Sequence, residues 1–460
     1  MDESHLIETR SIEFIPEKER YGTPKRLFTI WFSSNMQVTA LLVGALGVLA
    51  GLNVFWGIVA VIIGTVIGSV FMAAHSAQGP HLGIPQMIQS RAQFGVFGAG
   101  VPLMIIVISY VLFTAANGVV MRTSIQAAVP MPDDAAIILF GLVTLFIAFI
   151  GYELIHKIGI WMSVLSGLLF CVVAGLAALH GYAPGAWVPS ASGFKLQAFV
   201  LGVTQTASWS IGFAPYVADY SRYLPSKVKT ASTFWYSYWG QCLGAGLVMI
   251  LGAVLATYLP NIVNDPGRSV AQLFGYGRWI AYAIIIAGVL EINVLNIYSC
   301  YMSVTTVFTG FRGIKTISRG AKFAIMALMT LLATGIAVAT QYNFQAYFGD
   351  ILIAQVYFIV PWTAVNLCDF YAIRHGKYSV PDIYDENGQY GKWNKSTLLI
   401  CGLTVLAEIP FMDLSFYTGP IARYFNCDVT ILISFFMPAV LYYLINRKLI
   451  GVLPARATST

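Results

Sequence analysis

The sequence predicts an all-α membrane protein with twelve transmembrane helices, and three observations carry that expectation. The first is composition. Of 460 residues, 58% are hydrophobic and only 10% are charged, with a mean hydropathy of +0.73. A soluble chain carries roughly a quarter charged residues. The second is a series of apolar runs, each long enough for the roughly 20 residues of helix that cross a hydrocarbon core. The third is polar interruption in the middle of two of those runs, in corresponding places of the two halves of the chain.

The elements follow in order. Residues 1–26 are polar and charged, so no cleavable signal peptide is expected and the segment reads as a cytoplasmic N-terminal stretch. Spans 1 to 5 are predicted at 27–51, 54–76, 98–121, 135–153 and 158–180. Spans 6 to 10 fall at 196–220, 233–259, 279–304, 321–340 and 349–371. Only Glu153-Leu154-Ile155-His156-Lys157 separates spans 4 and 5. A turn-rich cytoplasmic loop at 372–396 holds Pro381-Asp382-Ile383-Tyr384 and Asn387-Gly388, and carries no recognisable functional motif. Spans 11 and 12 are expected at 397–415 and 427–446, within a unit 397–446, followed by a short polar cytoplasmic tail at 447–460.

The interruption in span 1 is Ser33-Ser34-Asn35-Met36-Gln37, and that in span 6 is Ser208-Trp209-Ser210-Ile211-Gly212-Phe213-Ala214-Pro215. Lipid satisfies no free backbone group, so a broken helix persists at membrane depth only where it lines a cavity. Paired breaks in two halves are a sequence pointer to a solute site.

Orientation comes from the basic residues. With both termini in the cytoplasm, Arg122, Lys195, Arg268, Arg278 and Arg423 lie outside and the other 21 of 26 Lys and Arg lie inside. One missed helix would scramble that bias. The formal charge of +6 is spread over short loops and does not point to nucleic acid. The localisation expected is an integral multi-pass plasma membrane protein, the inner membrane in a bacterium, working as a monomer. Cysteines 171, 242, 300, 368, 401 and 427 lie in or beside apolar runs without paired spacing. They read as small core residues rather than disulfides or metal ligands. His81 reads as structural, and no histidine spacing indicates a metal site.

Three stretches carry a family likeness. One is Gly79-Pro80-His81-Leu82-Gly83-Ile84-Pro85-Gln86-Met87, continuing to Ser90-Arg91-Ala92-Gln93-Phe94-Gly95. The second is Ala218-Asp219-Tyr220-Ser221-Arg222-Tyr223-Leu224-Pro225. The third is Pro361-Trp362 followed by Asp369-Phe370-Tyr371. From about residue 20 to 445 the chain resembles the nucleobase-cation-symport family, which includes purine-cytosine permeases and hydantoin transporters. The resemblance implies a leucine-transporter-like fold: two inverted five-helix repeats, 27–180 and 196–371, plus two extra helices.

It also implies site residues. Phe113 and Asn117 of span 3 match an aromatic and a carboxamide one helical turn apart, suited to a ring face and a heterocycle edge. Read without the family, the same pair packs against a neighbouring helix and bonds between helices. Trp209 falls where the family has its second stacking aromatic, with Ser208, Ser210 and Gly212 beside it. Gln37 matches a side chain that reaches the substrate, whereas Asn35 is expected to hold the broken backbone together. Span 8 carries Glu291-Ile292-Asn293-Val294-Leu295-Asn296. Asn293 and Asn296 share a helical face. Glu291-Ile292 replaces the Ala-Asn of the family pattern, so a carboxamide that normally contacts substrate is missing. Asp219 and Arg222 read as a structural or gating pair, and Asp369 is not assigned to substrate.

Glu291 lies near the bilayer midplane, where a carboxylate is costly and is a functional candidate by default. It is expected to neutralise a cationic substrate, carry a coupling proton, or remain as a protonated side chain bonded to a carbonyl. Sodium-coupled relatives have two hydroxyl side chains on span 8, and the alignment puts Ile286 and Ala287 there. The backbone of Ser33 and Met36 is left to contribute to an ion site. The expected coupling ion is therefore H+, with Na+ as the alternative, and no cofactor is expected. The expected function is a secondary active transporter importing a small planar nitrogen heterocycle, a nucleobase such as cytosine or a purine. The alternative is a hydantoin-like, vitamin-like or cationic heterocycle. A channel and a membrane enzyme are the rivals from other classes; paired breaks disfavour the first, and no polar catalytic cluster at membrane depth supports the second.

Overall fold

A computed structural model describes residues 12–150, 152–179, 191–259, 261–312 and 317–450, and helix overlies each of the twelve predicted spans. Span 1 is two helices, Lys25–Ser34 and Val38–Leu49, bent by 65° at the break. Spans 2 to 5 are Val54–His75, Gly100–Ala128, Asp133–Ile150 and Tyr152–Leu179. Span 6 is Leu196–Ile211, then a 3-10 turn Ala214–Tyr216 and a short helix Val217–Ser221. Spans 7 to 10 are Thr230–Leu255, Arg278–Arg312, Arg319–Thr340 and Phe344–Leu367, the last running on as a π-helix Cys368–Ile373. Spans 11 and 12 are Lys395–Glu408 and Thr430–Asn446. Among the described residues, seven helical stretches are long and apolar enough to cross a membrane, eight with the bent pair. One of the seven, Arg319–Ile373, contains both spans 9 and 10.

The packing is reciprocal between the two halves. Both parts of span 1 lie against span 7, and span 6 lies against span 2. Span 5 packs on span 8, and span 10 packs on span 3. Two five-helix repeats generate this pairing. Glycines make the closest approaches. A Cβ at Gly44 would run into the Met249 carbonyl, and one at Gly252 into the Leu41 carbonyl. The mirror contact puts Gly64 and Gly68 of span 2 against Val203, Thr206 and Ala207 of span 6. Without a hydrophobic drive between helices in lipid, such backbone proximity is what holds them together.

Several expectations are corrected. The second break starts at Gly212, four residues after Ser208, because Ser208 to Ile211 are still helical. Ser208 Oγ donates to the Leu352 carbonyl, so this serine fastens helix to helix. Residues 153–157 belong to the span 5 helix rather than to a connector. Span 11 ends at Glu408, short of 415, and a two-stranded hairpin pairs Asp413–Leu414 with Tyr417–Thr418. The tail from 451 onward lies outside the described residues.

Two cytoplasm-assigned segments pack rather than hang free. Ile12 and Ile15 are buried, and Arg20 Nη1 donates to the Pro80 carbonyl at 2.7 Å. In the 372–396 loop, Val380–Tyr384 is helical, and Tyr378, Ser379 and Ile383 are buried. Cys242, Cys300 and Cys427 are buried as expected, but Cys171 is exposed on the helix surface.

Candidate functional site

Two small cavities flank the first break. The larger, about 40 Å³, is lined by residues of spans 1, 3, 6, 8 and 10. Gln37, Phe113, Asn117, Trp209 and Asn296, all expected from the sequence, meet there. Phe213, part of the span 6 break read from the sequence, lines it as well, and so do Tyr110, Tyr216 and Gln355, which were not anticipated. Their signal is weak in sequence: tyrosines near spans are common, and Gln355 is one carboxamide in a long apolar run.

The first break sets the geometry. Its residues leave the helix because Asn35 and Gln37 offer side-chain partners for backbone that has lost its own. Asn35 Nδ2 donates to the Trp31 carbonyl at 2.7 Å and to Gln241 Oε1 at 2.8 Å. Asn35 Oδ1 accepts from Trp209 Nε1 at 2.8 Å. One buried carboxamide thus ties span 1 to span 7 and aims the indole that lines the cavity. Gln37 is extended (φ −140°, ψ 153°), and its Nε2 donates to the Ser34 carbonyl at 3.0 Å.

The aromatic pair is not a parallel clamp. Phe113 and Trp209 touch edge to face, with centroids 5.9 Å apart and planes at 79°. Stacking a ring on both therefore requires one of them to turn. On the Lys25 side, Phe213 and Tyr216 close the cavity and pack against Trp31 at 6.0 and 6.1 Å.

The expected carboxamides divide into two kinds. Asn117 lines the cavity, but its amide is engaged: Oδ1 accepts from Thr39 at 2.9 Å and Nδ2 donates to Asn293 at 3.2 Å. Asn293 does not line the cavity; it buttresses Asn117 and donates to Thr144 Oγ1 at 3.4 Å. Ser210 is also outside it, with its Oγ accepting from Gln241 Nε2 at 3.3 Å. By contrast, Gln37 Oε1, Tyr110 OH and both amide atoms of Gln355 are buried with no protein partner among the described residues. Buried polar atoms are almost always bonded, so these orphans mark where a ligand's polar edge fits.

The second cavity, about 10 Å³, is lined by Ser33, Ser34, Met36, Gln37, Ser166, Gly288, Glu291, Ile292 and Leu295. That is roughly room for one water-sized sphere. Gly288, Glu291, Ile292 and Leu295 form one helical face. Ile286 and Ala287, which the alignment put at an ion site, do not line it, and the glutamate does. Ser33 Oγ and Ser34 Oγ both donate to the Ile30 carbonyl, at 2.9 and 2.8 Å. Their lone pairs, not their protons, are left for the cavity. No Lys, Arg or His is among its lining residues. The lining is thus rich in acceptors, and suits a proton or a small cation beside a carboxylate. Among the described residues no group of three His, Cys, Asp or Glu is placed to hold a metal.

The remaining acidic residues are fastened elsewhere. Asp219 Oδ1 accepts from the Gln86 backbone N–H at 2.8 Å. Arg222 is buried, and its guanidinium reaches the Glu13 carbonyl at 3.4 Å and Tyr223 OH at 3.3 Å. Asp369, at the π-helix, accepts from Gln93 Nε2 at 2.7 Å, Tyr378 OH at 2.7 Å and Tyr442 OH at 2.9 Å, and pairs with Arg374 at 3.2 Å. Burial first, then the Asp369 carboxylate, hold the Tyr378 phenol well above its ordinary pKa, so it stays a donor. Asp369 therefore joins spans 10 and 12 to the segments 372–396 and 78–95, and it lines neither cavity.

Comparison with known proteins bears on this arrangement. Residues 14–436 match the family described as permease for cytosine/purines, uracil, thiamine, allantoin. The chain is 42% identical over 445 residues to a Bacillus subtilis protein named putative purine-cytosine permease, covering 96% of both. It is 24% identical to a purine-cytosine permease of Emericella nidulans, covering 91% of this chain and 84% of that one. Among solved structures, it superposes on Mhp1, a nucleobase-cation-symport-1 family transporter, in a closed conformation with bromovinylhydantoin bound. That match has a TM-score of 0.75 at 14% identity, over 99% of this chain and 98% of the other. The inward-facing conformation of Mhp1 gives 0.77, also at 14% identity, over 100% and 98%. At such identity the likeness establishes the fold alone.

Proposed function

Because the chain belongs to the family of permeases for cytosine/purines, uracil, thiamine and allantoin, we propose that it is a proton-coupled symporter importing a neutral nucleobase, cytosine or a purine, by alternating access. It is an integral membrane protein and a secondary transporter rather than an enzyme. The substrate lies in the larger cavity, its ring against Phe113 or Trp209 and its edge toward Gln37, Asn117 and Asn296. The proton is carried by Glu291, with Ser33 and Met36 beside it. Both termini and the 372–396 loop are cytoplasmic, and one chain suffices for the cycle.

One observation carries the proton assignment: a carboxyl group faces an acceptor-rich cavity that no basic side chain lines. The cavity has room for roughly one water-sized sphere. A proton on Glu291 satisfies the group with no further ligand. Sodium would need several oxygens, and Ile286 and Ala287 stand where sodium-coupled relatives have hydroxyl side chains.

The test uses the protein reconstituted in vesicles. With a pH gradient imposed, labelled cytosine or adenine should accumulate in wild type. Glu291→Gln keeps size and hydrogen bonding but cannot titrate. The variant should still exchange substrate across the membrane yet lose accumulation driven by the pH gradient. Accumulation that follows a sodium gradient at constant pH would overturn the proton assignment. Loss of binding itself at every pH would instead make Glu291 the partner of a cationic heterocycle.

A further inference from the structure

We propose that Gln355, from the middle of span 10, is the specificity-determining contact of the larger cavity, reading a substrate edge that carries a hydrogen-bond donor beside an acceptor. The inference rests on the nucleobase reading above and names the part of the ring that is recognised.

Three observations place it there. Gln355 is 3% exposed and lines the cavity with Asn117, Trp209 and Asn296. Both its Nε2 and its Oε1 lack a partner among the described residues. The break in span 6 makes room for it: a Cβ at Gly212 would lie 2.5 Å from Gln355 Oε1. Gly212 also ends the Leu196–Ile211 helix, so the kink and the seat of the amide are one feature.

The chemistry follows from the carboxamide. It presents one donor and one acceptor side by side, whichever way the amide is turned. It pairs in two-point fashion with an amino group next to a ring nitrogen, as in cytosine or adenine, or with a ring N–H next to a carbonyl, as in hypoxanthine. The same geometry lets Asn or Gln read adenine edges in nucleic acids. An edge that keeps the acceptor and lacks the donor leaves Oε1 buried and unmatched. Asn117 is held in place by Thr39 and Asn293, one bond at each half of its amide, and has only its remaining N–H and lone pair to offer, whereas Gln355 has its whole amide free of protein partners among the described residues. Ile292, which also lines the cavity, offers only apolar surface.

The experiment measures affinity by ligand-induced thermal shift on the purified full-length protein. The probes are cytosine against 1-methyl-2-pyrimidinone, and adenine against 9-methylpurine; each second compound lacks both the exocyclic amino group and the ring N–H, and so keeps acceptors without any donor. Wild type should prefer the amino compound by about 10- to 100-fold, the range expected when a buried polar partner is left unmatched. In Gln355→Leu that preference should fall to within about 3-fold, while the ligand-free protein melts no lower, because an orphaned buried amide has been replaced by an apolar side chain of similar size. Gly212→Ala should also erode the preference by displacing the amide, and should add nothing further in the Gln355→Leu background. A folded Gln355→Leu that discriminates as well as wild type would overturn the inference and leave the nucleobase reading standing. If none of the four compounds shifts the wild-type protein, the nucleobase reading and this inference fail together.

Discussion

Asn35 is where the first break, span 7 and the cavity aromatic are fastened together, so Asn35→Ala is the sharpest perturbation of the site's frame. The residue is fully buried and makes three close bonds: to the Trp31 carbonyl at 2.7 Å, to Gln241 at 2.8 Å and to Trp209 Nε1 at 2.8 Å. Hydrogen bonds between membrane helices are worth about 0.6 kcal/mol on average and up to about 1.7. Losing the two bonds between helices, to Gln241 and Trp209, therefore costs about 1–3.5 kcal/mol, with an orphaned indole N–H included, and the Trp31 carbonyl loses its partner within span 1 as well. The expected result is a clearly lower apparent melting temperature in detergent, together with impaired uptake, since the Trp209 ring loses its anchor. Trp209→Phe removes the Nε1 donor together with part of the buried ring, so it should cost at least as much as the bond itself, about 0.6–1.7 kcal/mol. Because the two residues share a bond, the double variant should be less destabilised than the sum of the singles. Wild-type melting and uptake in Asn35→Ala would refute the idea that this carboxamide organises the break.

Two further outcomes are expected. Gly252→Ala puts a methyl group against the Leu41 carbonyl, and overpacking of this kind costs about 1–3 kcal/mol, read as lowered thermal stability; unchanged stability would mean that spans 1 and 7 slide apart freely. A cysteine introduced at the exposed Lys377 should resist impermeant thiol reagents applied outside intact cells, since the basic-residue bias puts that loop in the cytoplasm; ready labelling from outside would reverse the topology.

The fold was legible because its determinants are local. Apolar runs and charge bias need no tertiary information, and Asn35 and Gln37 stand out inside an apolar run. The second break was placed too early for an identifiable reason. Ser208 and Ser210 look like interruptions, but small hydroxyl side chains stay helical when neighbours satisfy them: Ser208 donates to the Leu352 carbonyl and Ser210 accepts from Gln241. The residues that end the helix are Gly212 and the 3-10 turn holding Pro215. On span 8, Glu291 was legible as an acid near the bilayer midplane, and it lines the smaller cavity, whereas Ile286 and Ala287 do not. The face that meets the first break carries Gly288, Glu291, Ile292 and Leu295, a spacing that is visible only once the partner helix is in place. Gln355 and the Asp369 network escaped notice because their meaning lies in contacts across long sequence separations, such as Asp369 with Gln93 and Tyr442.

The placement of Gln37 bears on how substrate and ion would be linked. Gln37 and Ile292 are the two residues that line both cavities. Gln37 is also the extended residue between the two halves of span 1, which meet at 65°. A ligand in either cavity would therefore meet the same break. Binding shifts a conformational equilibrium only through a difference in affinity between states. A side chain shared by both sites supplies such a difference directly: turning the Gln37 amide toward a substrate edge withdraws it from the Glu291 cavity, and the reverse. Linkage makes the effect mutual, typically about 1–3 kcal/mol, or 5- to 150-fold in affinity. Substrate affinity should then depend on pH in wild type, and the dependence should vanish in Glu291→Gln. In Gln37→Ala it should be reduced even though Glu291 remains, because the carboxyl group has lost the side chain through which the substrate cavity senses its charge. A pH dependence that survives undiminished in Gln37→Ala would route the coupling through the backbone of the break instead.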